Sequence, residues 1–445
     1  MHTQQSAHVG AYSPAEFSIF KSSLIVATIL ALLGFSIVSH AVPAFARQTG
    51  RACNACHFQH FPTLNSEGRE FAASGYTDIG KQPLIEKEGL SLPGVLNASI
   101  FTKLRYQKAN GTEKAGEVTK NSGELQFPDE FVLFFGGRVS EHVGFLLEAQ
   151  LPESEESALA SVKLPFFFGD KRKFGVVPYS TDGLGAAYGF ELLSTGALRS
   201  SRIAEHRKDI SAQQFVGLDG AAEGLAFVAH DPRFYVNYSL WSPNHLATSN
   251  GMANGKPEAS YLRIVLKTPP VEEGATPGWD FGGGMQLWSG SAKRNTDSAL
   301  PATLTETDTS AIAFDAQAQG TFSGYPLGVY LTYAKAQKSD ANATTKNLFN
   351  ANPKDEQAIA LAAEIGIIPR KATLLLAYRQ GDNGKAANNK DNAVALGGTY
   401  SLNQNVMLSL NYAKYSGNAF AAGTKPMSVG GSGDQLTTLM LSAGF

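Results

Sequence analysis

From about Leu96 to Phe445 the chain is written in period two. In R-F-Y-V-N-Y-S-L-W, Phe234, Val236, Tyr238 and Leu240 share one face, and Arg233, Tyr235, Asn237 and Ser239 share the other. In K-A-T-L-L-L-A-Y-R, Leu374, Leu376 and Tyr378 oppose Lys371, Thr373 and Arg379. In S-Y-L-R-I-V-L-K, Leu262, Ile264 and Leu266 oppose Arg263 and Lys267. In A-I-A-F-D-A-Q-A-Q, Ile312 and Phe314 oppose Asp315, Gln317 and Gln319. Successive side chains of a strand point to opposite faces, so each segment predicts a strand with one apolar and one polar side. Segments of about ten residues suit a strand that crosses a membrane.

Composition narrows the choice. Charged residues make up 17% of the chain, below the roughly 25% of soluble domains. Mean hydropathy is only −0.13, too low for a bundle of membrane helices, which needs repeated apolar runs of about 20 residues. The net charge of −2 lacks the basic footprint of a nucleic-acid binder. Forty-five glycines and 10% aromatics suit alternating strands and tight turns.

The connections alternate as well. Short turns are expected at 140–142, 231–232, 323–326, 368–371 and 402–405, and long polar loops near 107–128, 243–257, 291–308, 339–355 and 416–433. Short turns on one rim and long loops on the other are the asymmetry of outer-membrane barrels. Trp241, Trp288, Tyr378, Tyr412 and Tyr415 sit near strand ends, where aromatic girdles are expected. Sixteen or seventeen candidate strands can be counted. Single-chain bacterial barrels are even-numbered, so the expectation is a mainly β protein: a transmembrane antiparallel β-barrel of about 16 strands over residues 95–445. The stretch 183–209 breaks the pattern and predicts a constriction loop or short helix inside the lumen. A soluble sandwich or propeller is the alternative, but no blade period is visible.

The beginning of the chain has different grammar. Lys21 precedes the apolar run Leu24 to Val38, and Ala44-Phe45-Ala46 has small-residue cleavage spacing. Basic residue, apolar core and A-x-A describe a signal peptide, expected over residues 1–46; a retained membrane anchor is the alternative. Export would place the chain in a Gram-negative envelope, with the barrel in the outer membrane.

Next comes R-A-C-N-A-C-H-F-Q-H-F-P, which contains both cysteines of the chain. C-x-x-C-H is the attachment motif of c-type haem. Cys53 and Cys56 on one turn can form two thioethers to one porphyrin edge, with His57 as proximal iron ligand. The expected cofactor is one covalently bound haem c. A redox disulfide would need a βαβ setting. A zinc site from Cys53, Cys56, His57 and His60 has the right donors but the wrong spacing for a finger. The distal ligand is open. His60 follows too closely to reach the opposite haem face and suits packing. His206 in the inserted loop and the lumen-facing Met407 and Met440 are the candidates, while His142, His230 and His245 suit turns or loops. Residues 47–94 are too few for an independent core, so this short α-helical segment must pack against the rest. Pro62 is expected to open its helix and Gly75 to close it.

The run C-N-A-C-H-F-Q-H-F-P-T-L-N-S-E-G-R-E-F-A-A-S-G-Y, Cys53 to Tyr76, followed by a porin-like barrel, resembles the fused outer-membrane monohaem cytochrome–porins of iron-oxidising bacteria. The resemblance implies oxidation of extracellular Fe(II) through one c-type haem, with the electron passed to a periplasmic c-type cytochrome or other acceptor. It carries over Cys53, Cys56 and His57. The alternatives are a porin for small solutes whose haem segment acts as plug or redox gate, and a barrel that merely anchors a periplasmic carrier.

Overall fold

The computed structural model describes residues 44–445 apart from 81, 89, 112–122, 151–158, 198, 206–208, 246–256, 271–277, 296–303 and 421–432. Residues 1–43, which hold nearly all of the expected leader, and His206 lie outside the described residues. The helix Ala44–Thr49 spans the expected cleavage point.

Seventeen strand segments close into one antiparallel ring. Two of them, Leu159–Lys163 and Phe166–Phe168, are halves of a single strand. Both pair with the same two neighbours, Val143–Gln150 and Lys173–Thr181. Pro165, which cannot donate to a ladder, sits in the break. The barrel therefore has sixteen strands. The first, Ala98–Ala109, closes it against the last, Gln435–Gly444, in register from Phe101↔Gly444 to Ala109↔Leu436. The terminal Phe445 exchanges both backbone hydrogen bonds with Ile100.

Side-chain parity decides what the barrel shows to its surroundings. Leu374, Leu376 and Tyr378 are 53%, 53% and 46% exposed, whereas Thr373 and Arg379 on the same strand are buried. Leu266 and Phe314 are likewise exposed, and Arg263, Asp315, Gln317 and Gln319 are buried. This inverts a soluble core: apolar outside, polar inside, as a hydrocarbon surround requires. Among the described residues no helix is long and apolar enough to cross a membrane; the chain crosses with strands. It is an outer-membrane barrel.

All five expected short turns lie on one rim, joined by 169–172 and the longer 268–279. The loop 290–310 carries its own hairpin, Ser291–Asn295 with Leu304–Asp308. Three aromatic expectations are corrected. Trp241, Trp288 and Tyr415 belong to no girdle: they face the lumen and are 2%, 2% and 3% exposed. Each shares parity with buried polar residues, Trp241 with Asn237 and Ser239, and Phe349 from loop 337–355 folds in to stack on Trp241. The exposed rim aromatics are instead Trp279, Phe281, Phe322 and Tyr325.

The lumen is filled from two directions. The described residues of the segment 182–221 fold inward, as 183–209 predicted. They bring a 3-10 turn, Ala186–Gly189, and a short helix, Ala212–Phe215, into the core of the barrel. From the short-turn rim, which faces the periplasm in outer-membrane barrels, the N-terminal segment enters as a plug.

Candidate functional site

The plug is built around Cys53–Cys56, one turn of helix whose last hydrogen bond runs from His57 N to Cys53 O. The chain then reverses. Phe58 N donates to Thr63 O at 2.8 Å, and His57 bridges Leu64 across a small hairpin. Pro62 lies in that hairpin, so it does not open the helix. The opener is Asn65: its side chain accepts from Gly68 N at 3.0 Å and caps Ser66–Ala73. A side-chain oxygen here satisfies a backbone donor that the first helical turn leaves orphaned. Gly75, at φ +73°, follows the helix end as expected.

Asn65 has a second task. Its amide donates to Ala55 O at 2.9 Å and its backbone N–H to Cys56 O at 3.0 Å. One residue thus ties the C-x-x-C turn to the following helix. Gly68 lets the two approach, because a Cβ there would collide with the Cys56 carbonyl. The run L-N-x-x-G is a clamp on the C-x-x-C turn, a role that its helical spacing alone does not show.

Three buried charges dock the plug to the barrel wall. His60 Nε2 lies 2.7 Å from Glu364 Oε1, with both side chains under 5% exposed. Burial disfavours the charged imidazole, but the Glu364 carboxylate outweighs it and lifts the His60 pKa above the ordinary value. Arg69, 2% exposed, donates to Leu64 O and Gln319 Oε1, both at 3.1 Å, and pairs with Asp280. Lys267 Nζ reaches Glu70 at 2.8 Å. Cys53 N donates to Gln404 Oε1 at 3.2 Å, in a rim turn. All of these wall residues lie toward the short-turn end, which fixes the plug there.

The expected site residues can now be placed. Cys53, Cys56 and His57 are together, half-buried, the cysteines as free thiols. Burial pushes both thiols up and holds the His57 pKa down to about 4. His57 Nδ1 is buried without a hydrogen-bond partner. A neutral imidazole and two unpaired thiols on one turn fit a c-type haem, whose ligating histidine must be uncharged. Burial also favours the neutral thiol over the thiolate that a zinc site requires. His60, the fourth donor of that alternative, has one ring nitrogen on Glu364 and the other on Phe61 O. Among the described residues no group of three or more His, Cys, Asp or Glu is placed to hold a metal ion. Met407 and Met440 face the lumen on adjacent strands, Met407 on the strand that follows Gln404. His142 lies in a turn and His245 in a loop, bonded to Ser180 and Leu159. His230 instead ends a strand and packs on Phe190.

The inserted loop meets the plug across a cavity of about 220 Å³. It is anchored to the wall by a buried charge network. Arg263 Nε donates to Glu191 at 2.8 Å and Nη2 to Asp315 at 3.1 Å, Tyr235 hydroxyl bonds Glu191, and Thr195 donates to Asp315 at 2.7 Å. At the loop's far end Arg379 pairs with Asp391 and stacks over Phe215 at 4.0 Å.

A closed sixteen-strand barrel with a lipid-facing apolar wall, a loop folded into its lumen and short turns on one rim is an outer-membrane barrel of the porin type. A family model described as "Gram-negative porin" matches residues 234–419, from the seventh strand through the fifteenth. No curated protein matches the sequence. Similar solved structures include outer-membrane OmpT of Vibrio cholerae, at 10% identity and TM-score 0.41 over 82% of this chain and 100% of that one. Others are the outer membrane channel DcaP of Acinetobacter baumannii, at 12% and 0.45 over 79% and 97%, and Salmonella typhi OmpF in complex with daunomycin, at 12% and 0.43 over 82% and 100%. The family match begins well after the C-x-x-C-H segment.

Proposed function

We propose that this barrel carries one covalent haem c in its periplasmic plug and works as an electron-transfer protein that oxidises extracellular Fe(II) and delivers the electron to a periplasmic c-type cytochrome or similar acceptor. The observation that carries the reading is the C-x-x-C-H turn, clamped by Asn65 and docked inside a lumen by His60–Glu364 and Arg69–Asp280. Cys53 and Cys56 would hold the porphyrin edge and His57 the iron. Bound there, haem supplies a one-electron centre, which matches the single electron of Fe(II). The wall and plug residues orient the turn, and the barrel supplies passage through an insulating layer. His206, Met407 and Met440 remain the distal candidates.

A second reading, a solute porin with a haem-bearing plug or redox gate, is favoured by the porin family match over residues 234–419. The two part on one measurement: the optical spectrum of outer-membrane vesicles carrying the chain, before and after Fe(II) is added outside. Prompt reduced c-type bands are expected. Bands that need dithionite would remove iron as donor and leave the plugged porin. Absence of haem bands, in cells able to mature c-type cytochromes, would sink the haem assignment itself.

A further inference from the structure

The cavity between plug and inserted loop is chemically two-sided. Its walls are apolar, with Leu64, Leu184, Leu192 and Leu193 among them, and Lys163, Arg199 and Arg202 line it as cations. Leu64 is the residue bridged to His57 across the plug hairpin, so the cavity adjoins the C-x-x-C-H turn.

Neither Arg199 nor Arg202 makes a hydrogen bond or ion pair among the described residues. Glu148 on the wall, which accepts from Ser161 Oγ at 3.3 Å, is the carboxylate whose charge Arg202 favours, and most of the other charges nearby have partners of their own. Glu191, the carboxylate that lines the cavity, is bound by Arg263 and Tyr235. Glu205 accepts the Ser201 and Ser211 backbone N–H groups. Glu130 pairs with Lys103. Burial pushes Asp219 up to about 6. Lys163 sits 4.5 Å over the Tyr188 ring. The two guanidinium groups repel each other: Arg202, with burial second, holds the Arg199 pKa down to about 10. Two like charges placed side by side in a partly dry cavity are an arrangement that an anion relieves, and guanidinium forks match carboxylates in a bidentate way.

We propose that Arg199 and Arg202, assisted by Lys163, form a clamp for a dicarboxylate carried on a flat apolar body. One source of that chemistry is the propionate edge of the haem, which rests on the function proposed above. The other is a free aromatic dicarboxylate in the lumen.

Isophthalate is the probe, measured by titration calorimetry on detergent-solubilised full-length protein. In the haem-free Cys53→Ala/Cys56→Ala chain, isophthalate should bind, and adding Arg199→Gln/Arg202→Gln should weaken it at least tenfold. Benzoate should bind weakly and respond little. In the haem-loaded chain, lost isophthalate binding, with a midpoint potential that moves on Arg199→Gln/Arg202→Gln, assigns the clamp to the propionates. Undiminished binding there assigns it to a free solute. Heat-modifiable migration on gels checks that each variant is a folded barrel. Should the glutamine pair not fold, Arg199→Lys/Arg202→Lys keeps the charge, loses the fork and should weaken binding severalfold. No isophthalate binding, or binding indifferent to the arginines, overturns the clamp. Failure to find haem in the mature protein would overturn the proposed function and leave this test standing on the haem-free chain.

Discussion

Glu364 stands on the barrel wall and His60 on the plug, so their contact is a single-residue latch between them. A buried pair that loses one partner strands the other charge, at a cost of about 3–5 kcal/mol. Glu364→Gln should therefore loosen the plug, with faster amide exchange across residues 53–76 and little change in the strands. The latch has a pH sign. The His60 pKa is raised in the folded state by Glu364. Its contribution is full below the ordinary imidazole value and fades as pH rises through the raised one. Protection of the plug amides, relative to their intrinsic base-catalysed exchange, should fall on the alkaline side, and Glu364→Gln should flatten that response. An unchanged pH profile in the variant would mean that another group sets it. Gly68 works at the same scale. Gly68→Ala forces a methyl group against the Cys56 carbonyl, an overpacking strain of about 1–3 kcal/mol. The expected result is a reduced fraction of haem-staining protein at normal barrel yield; equal staining would show that the turn can move aside.

The inserted loop is held as an element by Arg263, which lies between Glu191 of the loop and Asp315 of the wall. Arg263→Met leaves two buried carboxylates uncompensated and should free the loop at a cost of about 3–5 kcal/mol. Limited proteolysis of the folded barrel near residues 183–209 should then accelerate. Replacing the whole network by Glu191→Gln/Arg263→Met/Asp315→Asn should restore much of the protection, since neutral groups carry no stranded charge. The plug helix behaves in parallel. Its N-cap Asn65 also grips the C-x-x-C turn, so Asn65→Ala should cost the cap, about 1 kcal/mol, and loosen the turn as well.

For the whole molecule, two inserts share one lumen. Planar-bilayer conductance of the intact chain should be small for sixteen strands, and Arg69→Met, which frees Asp280 and Gln319, should raise it or make it flicker. A large steady conductance in the unaltered protein would contradict a docked plug. The exposed outer band, with Leu266 at 72% and Leu374 and Leu376 at 53%, predicts a depth-dependent penalty: Leu376→Arg, further into the strand Ala372–Asn383, should lower insertion more than Leu374→Arg beside the turn, within the ~0–4 kcal/mol span from interface to midplane. Lumenal Thr373→Ala should insert normally.

The sequence by itself determined the barrel. Strand period, strand length and the inequality of turns and loops are local properties, set by backbone geometry and by what each face meets. Parity along a strand names the lumenal side residue by residue, and the same parity places Trp241 and Trp288 inside; nearness to a strand end was the weaker guide. The C-x-x-C-H turn was legible as a turn for the same reason, since five adjacent residues make it; the haem it would hold belongs to the proposed function. Only the tertiary structure decided where the plug docks and what grips it. His60 finds Glu364 at a separation of 304 residues and Arg69 finds Asp280 at 211. Arg263 joins a loop to a wall strand, and Arg199 and Arg202 face the cavity beside the plug. Such pairings have no local signature: a buried charge is satisfied by whichever partner barrel closure carries to it, and closure is a property of all sixteen strands together.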